Sequence, residues 1–203
     1  MSIRVILVDD QALVRGALAA LLDLESDIDV VGGAASGAEA VELVARLCPD
    51  VVLMDVDLGG AMDGIETTTA LRQNGSAARV LVVTTFGRPG FLRRAMKAGA
   101  SGFVVKDTPA RELADAVRRV HNGLRVVDPQ LATDSLIAGD SPLTAREADV
   151  LREALHGGTI ADIAAKVHLS EGTVRNHLSS AIGKTNARNR ADAARIAEEN
   201  GWL

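Results

Sequence analysis

Tyrosine is absent, and only four aromatic residues, Phe86, Phe91, Phe103 and Trp202, serve a chain of 203 residues. So sparse a set argues against a platform that grips nucleic acid by stacking bases on rings. Cysteine occurs once, at Cys48. One thiol excludes an internal disulfide and a cysteine-based metal site, and its apolar helical surroundings predict a buried, inert side chain. No apolar run reaches about 18 residues, and no basic segment precedes an apolar one at the N-terminus. A membrane span and a signal peptide are therefore not expected, and the cytoplasm is the expected location.

What is present suits two domains. A hydrophobic content of 47% is enough for sizeable cores. The 27 acids and 22 bases are unevenly spread: residues 141–203 hold eight of each, so the net charge of −5 lies wholly in the first part. Between Thr173 and Arg190 stand Arg175, Lys184, Arg188 and Arg190 with no acid among them. That excess points to an anionic partner for the C-terminal part.

The first part repeats one device. Val51-Val52-Leu53-Met54 is a continuous apolar run, the pattern of a strand buried on both faces, and it ends in Asp55. An Asp after a strand is by itself an ordinary turn former. Yet Ile3–Val8 runs into Asp9-Asp10, Val80–Val83 into Thr84-Thr85, and Gly102–Val105 into Lys106. With Asp29–Gly32 these make five strands, alternating with segments of helical periodicity. The pattern predicts a doubly wound α/β fold, a five-stranded parallel sheet with helices on both faces. Its carboxyl edge, where ligands bind in such folds, would gather Asp9, Asp10, Asp55, Thr84 and Lys106.

Those residue types suit phosphoryl chemistry. Carboxylates hold a hard cation such as Mg²⁺, and one of them can act as nucleophile toward phosphorus. A lysine adds fixed positive charge, and a threonine hydroxyl can donate to a phosphoryl oxygen.

From Arg125 to Pro142 the periodicity loosens, and Asp128-Pro129 and Gly139–Pro142 bracket a short run expected to be a helical linker. Helices are then expected over about 145–155, 160–166, 172–184 and 190–199, with Thr144 and Glu147 as a capping box. The middle two, joined by a short turn, have the shape of a helix-turn-helix. On the second of them Val174, Leu178 and Ile182 share an inward face. Thr173, Arg175, Asn176 and Ser179 are left to face DNA, and Lys184, Arg188 and Arg190 are placed for phosphates. His177 suits packing or capping better than metal binding, since no second ligand is spaced for it.

The motifs Val8-Asp9-Asp10, Met54-Asp55, Thr84-Thr85 and Gly102-Phe103-Val104-Val105-Lys106 resemble a two-component receiver domain. Leu143-Thr144-Ala145-Arg146-Glu147 and Ser170-Glu171-Gly172-Thr173-Val174-Arg175-Asn176-His177 resemble a LuxR-type helix-turn-helix. Together they are similar to response regulators of the NarL/FixJ family. The resemblance implies a flavodoxin-like receiver over 1–122, a linker over 123–141 and a DNA-binding domain over 142–203. It implies Asp55 as phospho-acceptor, with Mg²⁺ held by Asp9, Asp10, Asp55 and the backbone carbonyl of Asp57. Thr84 and Lys106 would contact the phosphoryl group, and Thr84 and Phe103 would form the switch, with Phe103 equally readable as a core residue. The implied partners are a sensor histidine kinase, promoter DNA, a second copy of the chain on phosphorylation, and RNA polymerase. No enzymatic turnover is implied beyond self-catalysed uptake and loss of the phosphoryl group.

Two departures from the family stand out. The loop Asp57-Leu58-Gly59-Gly60-Ala61-Met62-Asp63-Gly64 has glycines and an extra residue in place of the usual Met-Pro pair. Asp107 follows Lys106 where many receivers have proline. Two other readings compete: a receiver that regulates without phosphorylation, and a haloacid-dehalogenase-like phosphatase built on Asp55-Val56-Asp57. Candidate dimer surfaces are the first helix, with Leu13 and Ala17, and the fifth, with Val117 and Val120.

Overall fold

The computed structural model describes residues 2–85, 87–137 and 141–203, the side chains of 136 and 137 aside. Phe86 and linker positions 138–140 lie outside the described residues. The chain divides into two compact units, Met1–Gly87 with Leu92–Ala132, and Arg88–Phe91 with Thr133–Leu203.

From the N-terminus, strands and helices alternate as β1 (Ile3–Val8), α1 (Ala12–Leu22), β2 (Ile28–Ala34), α2 (Gly37–Leu47), β3 (Val51–Met54), α3 (Gly64–Gln73), β4 (Arg79–Thr84), α4 (Pro89–Lys97), β5 (Gly102–Val105), α5 (Ala110–His121) and β6 (Val126–Val127). A helix α6 (Pro129–Ile137) follows. The strands form one parallel sheet in the order β2-β1-β3-β4-β5-β6. The reversal of direction at β1 and β3 places a crevice beyond the carboxyl ends of those two strands. Val8 pairs with Met54, so Asp9 and Asp55 leave the sheet side by side.

Alternation along the strands sorts the core. Val5, Leu7, Val51, Leu53, Leu81 and Val83 share one cluster with Leu22, Leu113, Val117 and Val120 of α1 and α5. The intervening Ile6, Val8, Val52, Met54, Val80 and Val82, all buried, point to the opposite face. Side-chain caps start several helices: Ser36 accepts from the Glu39 amide, and Asp63 and Glu66 form a capping box. Each such cap contributes about 1 kcal/mol.

Two expectations need correction. The sheet has six strands rather than five, the sixth lying within the stretch read as a helical linker, whose helix is α6. A strand of two residues, Val126-Val127, is too short to carry a period, and it forms because Gly123, at φ +85°, turns the chain back after α5. Cys48 is exposed, not buried. It is the C-cap of α2, at φ +45°, and the helix face that periodicity assigns to the core ends one residue earlier.

The second unit is helical: α7 (Ala145–Leu155), α8 (Ile160–Val167), α9 (Glu171–Thr185) and α10 (Arg190–Glu199). Val150, Leu151, Ile163, Val174, Leu178, Ala181, Ala193 and Ala197 form its core. Thr144 with Glu147 and Thr159 with Asp162 are capping boxes, while Ser170 caps α9. Among the described residues no helix is long and apolar enough to cross a membrane.

Candidate functional site

Four strand ends build the site at the carboxyl edge. Asp9 and Asp55 are buried at 2% and 3% exposure, whereas Asp10 is exposed. One oxygen of each lies within 4.8 Å of the others. Lys106 reaches across from the end of β5. Its Nζ donates to Asp55 Oδ2 at 2.7 Å and lies 2.7 Å from Asp9 Oδ2. That second approach is ionic and poorly directed, which leaves Asp9 Oδ2 a buried carboxylate oxygen without an aligned donor. Asp55 Oδ1 accepts from the Val56 amide at 2.8 Å. Thr84, 1% exposed at the end of β4, receives the Lys106 amide on its carbonyl at 2.8 Å.

The charges are mutually dependent. Burial pushes the Asp55 carboxyl above its usual range; the Lys106 hydrogen bond and charge pull the other way, and Asp9 adds to the rise. Burial opposes the Lys106 charge, yet hydrogen bonds and attraction from Asp55 and Asp9 carry its pKa upward. The two shifts look contradictory for one ion pair. They follow from a cation that has two anions to itself while each anion has half a cation.

The loop after Asp55 is shaped by glycine. A Cβ on Gly64 would fall 1.7 Å from the Asp55 carbonyl oxygen, so α3 can start this close to the acceptor strand only with glycine there. Gly60 sits at φ +127°. Asp57 is exposed on this loop and is not one of the three clustered carboxylates. Asp63, the N-cap of α3, also takes Arg94 of α4 at 3.2 Å. Phe103 is fully buried beside Val82 and Val127, so in this structure it holds a core position.

In the second unit, α8 and α9 form the expected helix-turn-helix, with His168 at φ +55° ending α8. Val174 and Leu178 are buried, and Arg175, Asn176 and Ser179 are exposed on α9. Thr173 is half-buried, and its hydroxyl is 2.8 Å from Ser170 Oγ. Arg175 meets Glu171 at 2.7 Å across one turn. The three cations expected at phosphates have partners inside the unit. Arg188 pairs with Asp192 at 2.9 Å, and Arg190 donates to the Gly158 carbonyl at 2.9 Å. Lys184 Nζ donates to both oxygens of Glu147 at 2.9 and 2.7 Å. His177 is half-buried on α9.

Sequence reasoning missed two residues. Glu147 was read only as a cap, but its carboxylate, 4% exposed, also accepts from Ser180 Oγ at 2.7 Å. Burial alone would raise its pKa. The hydrogen bonds from Lys184, the Thr144 amide and Ser180 outweigh that and bring it down to about 2. The other is Arg15 of α1, whose Nη1 donates to the Asp9 carbonyl at 2.5 Å. A helical side chain leans toward the helix N-terminus, and that direction was the available signal.

Carboxylates and a lysine in this register can hold a divalent cation and a phosphoryl group, and the second unit presents one helix with an exposed polar face. Residues 5–118 match the family described as the response regulator receiver domain, and residues 141–197 match the bacterial regulatory proteins of the luxR family. The chain is a response regulator. It belongs to the receiver family and carries a LuxR-type DNA-binding domain. The uncharacterized transcriptional regulatory protein YvfU of Bacillus subtilis is 44% identical over 99% of this chain and 100% of its own. The transcriptional regulatory protein DesR of the same organism is 40% identical over 99% of each chain. The crystal structure of the response regulator ChrA, from a heme-sensing two-component system, aligns with a TM-score of 0.59 at 34% identity, covering 100% of this chain and 99% of that one. The regulator thus resembles transcriptional regulators along its whole length, and classical enzymes are not among these relatives.

Proposed function

We propose that this regulator accepts a phosphoryl group on Asp55 from a sensor histidine kinase, dimerises, and binds promoter half-sites. In the transfer, an Asp55 carboxylate oxygen bonds to phosphorus and the bond from phosphorus to the kinase histidine nitrogen breaks. Asp9, Asp10 and Asp55, with the Asp57 carbonyl, would hold Mg²⁺. The three clustered oxygens and the poorly directed Asp9 Oδ2 fit a hard cation with oxygen ligands. A bound Mg²⁺ supplies charge that offsets repulsion between carboxylate and phosphate. Lys106 gives up its contacts with the carboxylates for one with the incoming phosphoryl oxygens, and the Thr84 hydroxyl donates to another. Apart from this self-catalysed uptake, and an autodephosphorylation in which water attacks phosphorus, the bond to the Asp55 oxygen breaks and inorganic phosphate leaves, the protein is not an enzyme.

The reading divides the chain into a receiver over 1–122, a connecting segment over 123–141 that includes β6 and α6, and a DNA-binding domain over 142–203. Arg175, Asn176 and Ser179 read base edges, and Thr173 lies at the start of that helix. Arg188 and Arg190 serve phosphates through their remaining donors. Lys184 chiefly fixes α9 through Glu147. Leu13 is 85% exposed and Ala17 exposed on α1, while Val117 and Val120 are fully buried. These burials favour α1 as the dimer surface.

The observation that carries the reading is Lys106 bridging Asp55 and Asp9 in a chain that also bears a LuxR-type unit. It is tested by titrating the protein against promoter DNA upstream of its own gene, before and after treatment with acetyl phosphate and Mg²⁺. Treated protein is expected to bind more tightly and to prefer paired half-sites about one helical turn apart. Equal binding before and after treatment would favour regulation without phosphorylation.

A further inference from the structure

Asp9 is held by α1 as well as by the site. Its Oδ1 accepts from the Gln11 amide at 2.8 Å, and its carbonyl accepts from Arg15 Nη1 at 2.5 Å. The N-cap of α1, Gln11, makes no side-chain cap. The first turn of α1 is therefore anchored by Asp9, whereas Ser36 and Asp63 anchor α2 and α3 from within their own caps. Arg15 crosses close to Gly33 at the end of β2, where a Cβ would be 3.8 Å from its Cδ and Nε. That is an ordinary packing distance, so Arg15 lies against the end of β2. On its other side α1 exposes Leu13, Ala17 and Leu21.

One residue thus faces two ways. Asp9 Oδ2 lies 2.7 Å from Lys106 Nζ, so a change in what Lys106 holds alters the charge beside Asp9. The Asp9 carbonyl and Oδ1 pass any resulting shift to the first turn of α1. We infer that Arg15 is a positioning residue that couples the acid site to the exposed face of α1, so that phosphoryl uptake changes how that face self-associates. This rests on the phosphorylation-driven dimer proposed above and names the residue that carries the signal. A coupling needs an element that both sites bias, and α1 touches the acid site at its N-terminus and presents the apolar face along its length.

The test uses the full chain as wild type, Arg15→Met and Arg15→Lys. Each is treated with acetyl phosphate and Mg²⁺, then measured by intact mass for uptake and by sedimentation velocity for dimerisation. Arg15→Met is expected to take up the phosphoryl group as wild type does, while its phosphorylation-dependent gain in dimerisation falls by at least about fivefold, the low end of allosteric coupling factors. Arg15→Lys keeps a donor that can reach the Asp9 carbonyl, and it is expected to recover part of the gain. Dimerisation of treated Arg15→Met equal to wild type would overturn the inference. So would a loss of uptake and dimerisation together with a lowered melting temperature and no recovery in Arg15→Lys, since that is a purely structural role. If treated wild type stays monomeric, the dimer reading itself fails and takes this inference with it.

Discussion

Lys106 donates to Asp55 at 2.7 Å while Asp9 stands equally close to the same ammonium. One cation thus holds together two carboxylates that are almost fully buried. Without it their repulsion and desolvation would be uncompensated.

Lys106→Met should therefore lower stability in metal-free buffer by ~3 kcal/mol, the scale for stranding a buried charge. Millimolar Mg²⁺ should then raise the melting temperature of the variant more than that of wild type, because a bound cation restores the missing charge and binding to the folded state stabilises it. Thermal melts with chelator and with Mg²⁺ check this. An equal Mg²⁺ response in both proteins would show that the carboxylates do not form the metal site.

Glu147 predicts a pH signature in the second unit. Its folded pKa, about 2, lies below the ordinary 4.5. A depressed carboxyl pKa contributes stability above the unfolded value, and that contribution is lost as pH falls through the folded one. Wild type should thus lose stability between pH about 4.5 and about 2 through this group, and Glu147→Gln should be less stable at neutral pH with a flatter acid limb. Denaturant melts across that range, followed by the fluorescence of Trp202, which packs against this core, provide the comparison.

Arg175 and Lys184 should fail in different ways. Arg175 is exposed near the start of α9, so Arg175→Ala should cost ~1–3 kcal/mol in specific DNA affinity and relax preference at one base position per half-site. Lys184 is bound to buried Glu147, so Lys184→Ala should lower the melting temperature and weaken all sequences alike. Binding titrations on matched and mismatched sites separate the two, and identical profiles would mean that α9 is not the reading helix.

Leu13→Glu should leave phosphoryl uptake and melting temperature unchanged, since 85% of that side chain is in solvent. Sedimentation of the treated variant should show monomer where wild type forms dimer. A dimer of undiminished stability would move the interface away from α1.

Much of this was legible beforehand because the relevant signals are local. A buried parallel strand reads as an unbroken apolar run, and the residue that ends it must lie at the sheet edge. Asp9, Asp55, Thr84 and Lys106 were therefore found together from four short stretches. Contacts between helices, which no common sheet edge brings together, were not legible. Nothing in the helical pattern of α9 says that Lys184 meets Glu147, 37 positions earlier. Periodicity also fails at element ends, which is where Cys48 escapes burial. In β6, two residues cannot show a period. The phosphatase alternative turned on Asp57, and the structure leaves that residue exposed on its loop, outside the carboxylate cluster.

The most direct test of the account is the intact mass of the protein after incubation with acetyl phosphate and Mg²⁺. Wild type should gain a single phosphoryl group, and Asp55→Ala should gain none. Phosphorylation persisting in Asp55→Ala, at Asp57 or Asp63, would contradict the assignment of Asp55 as the acceptor.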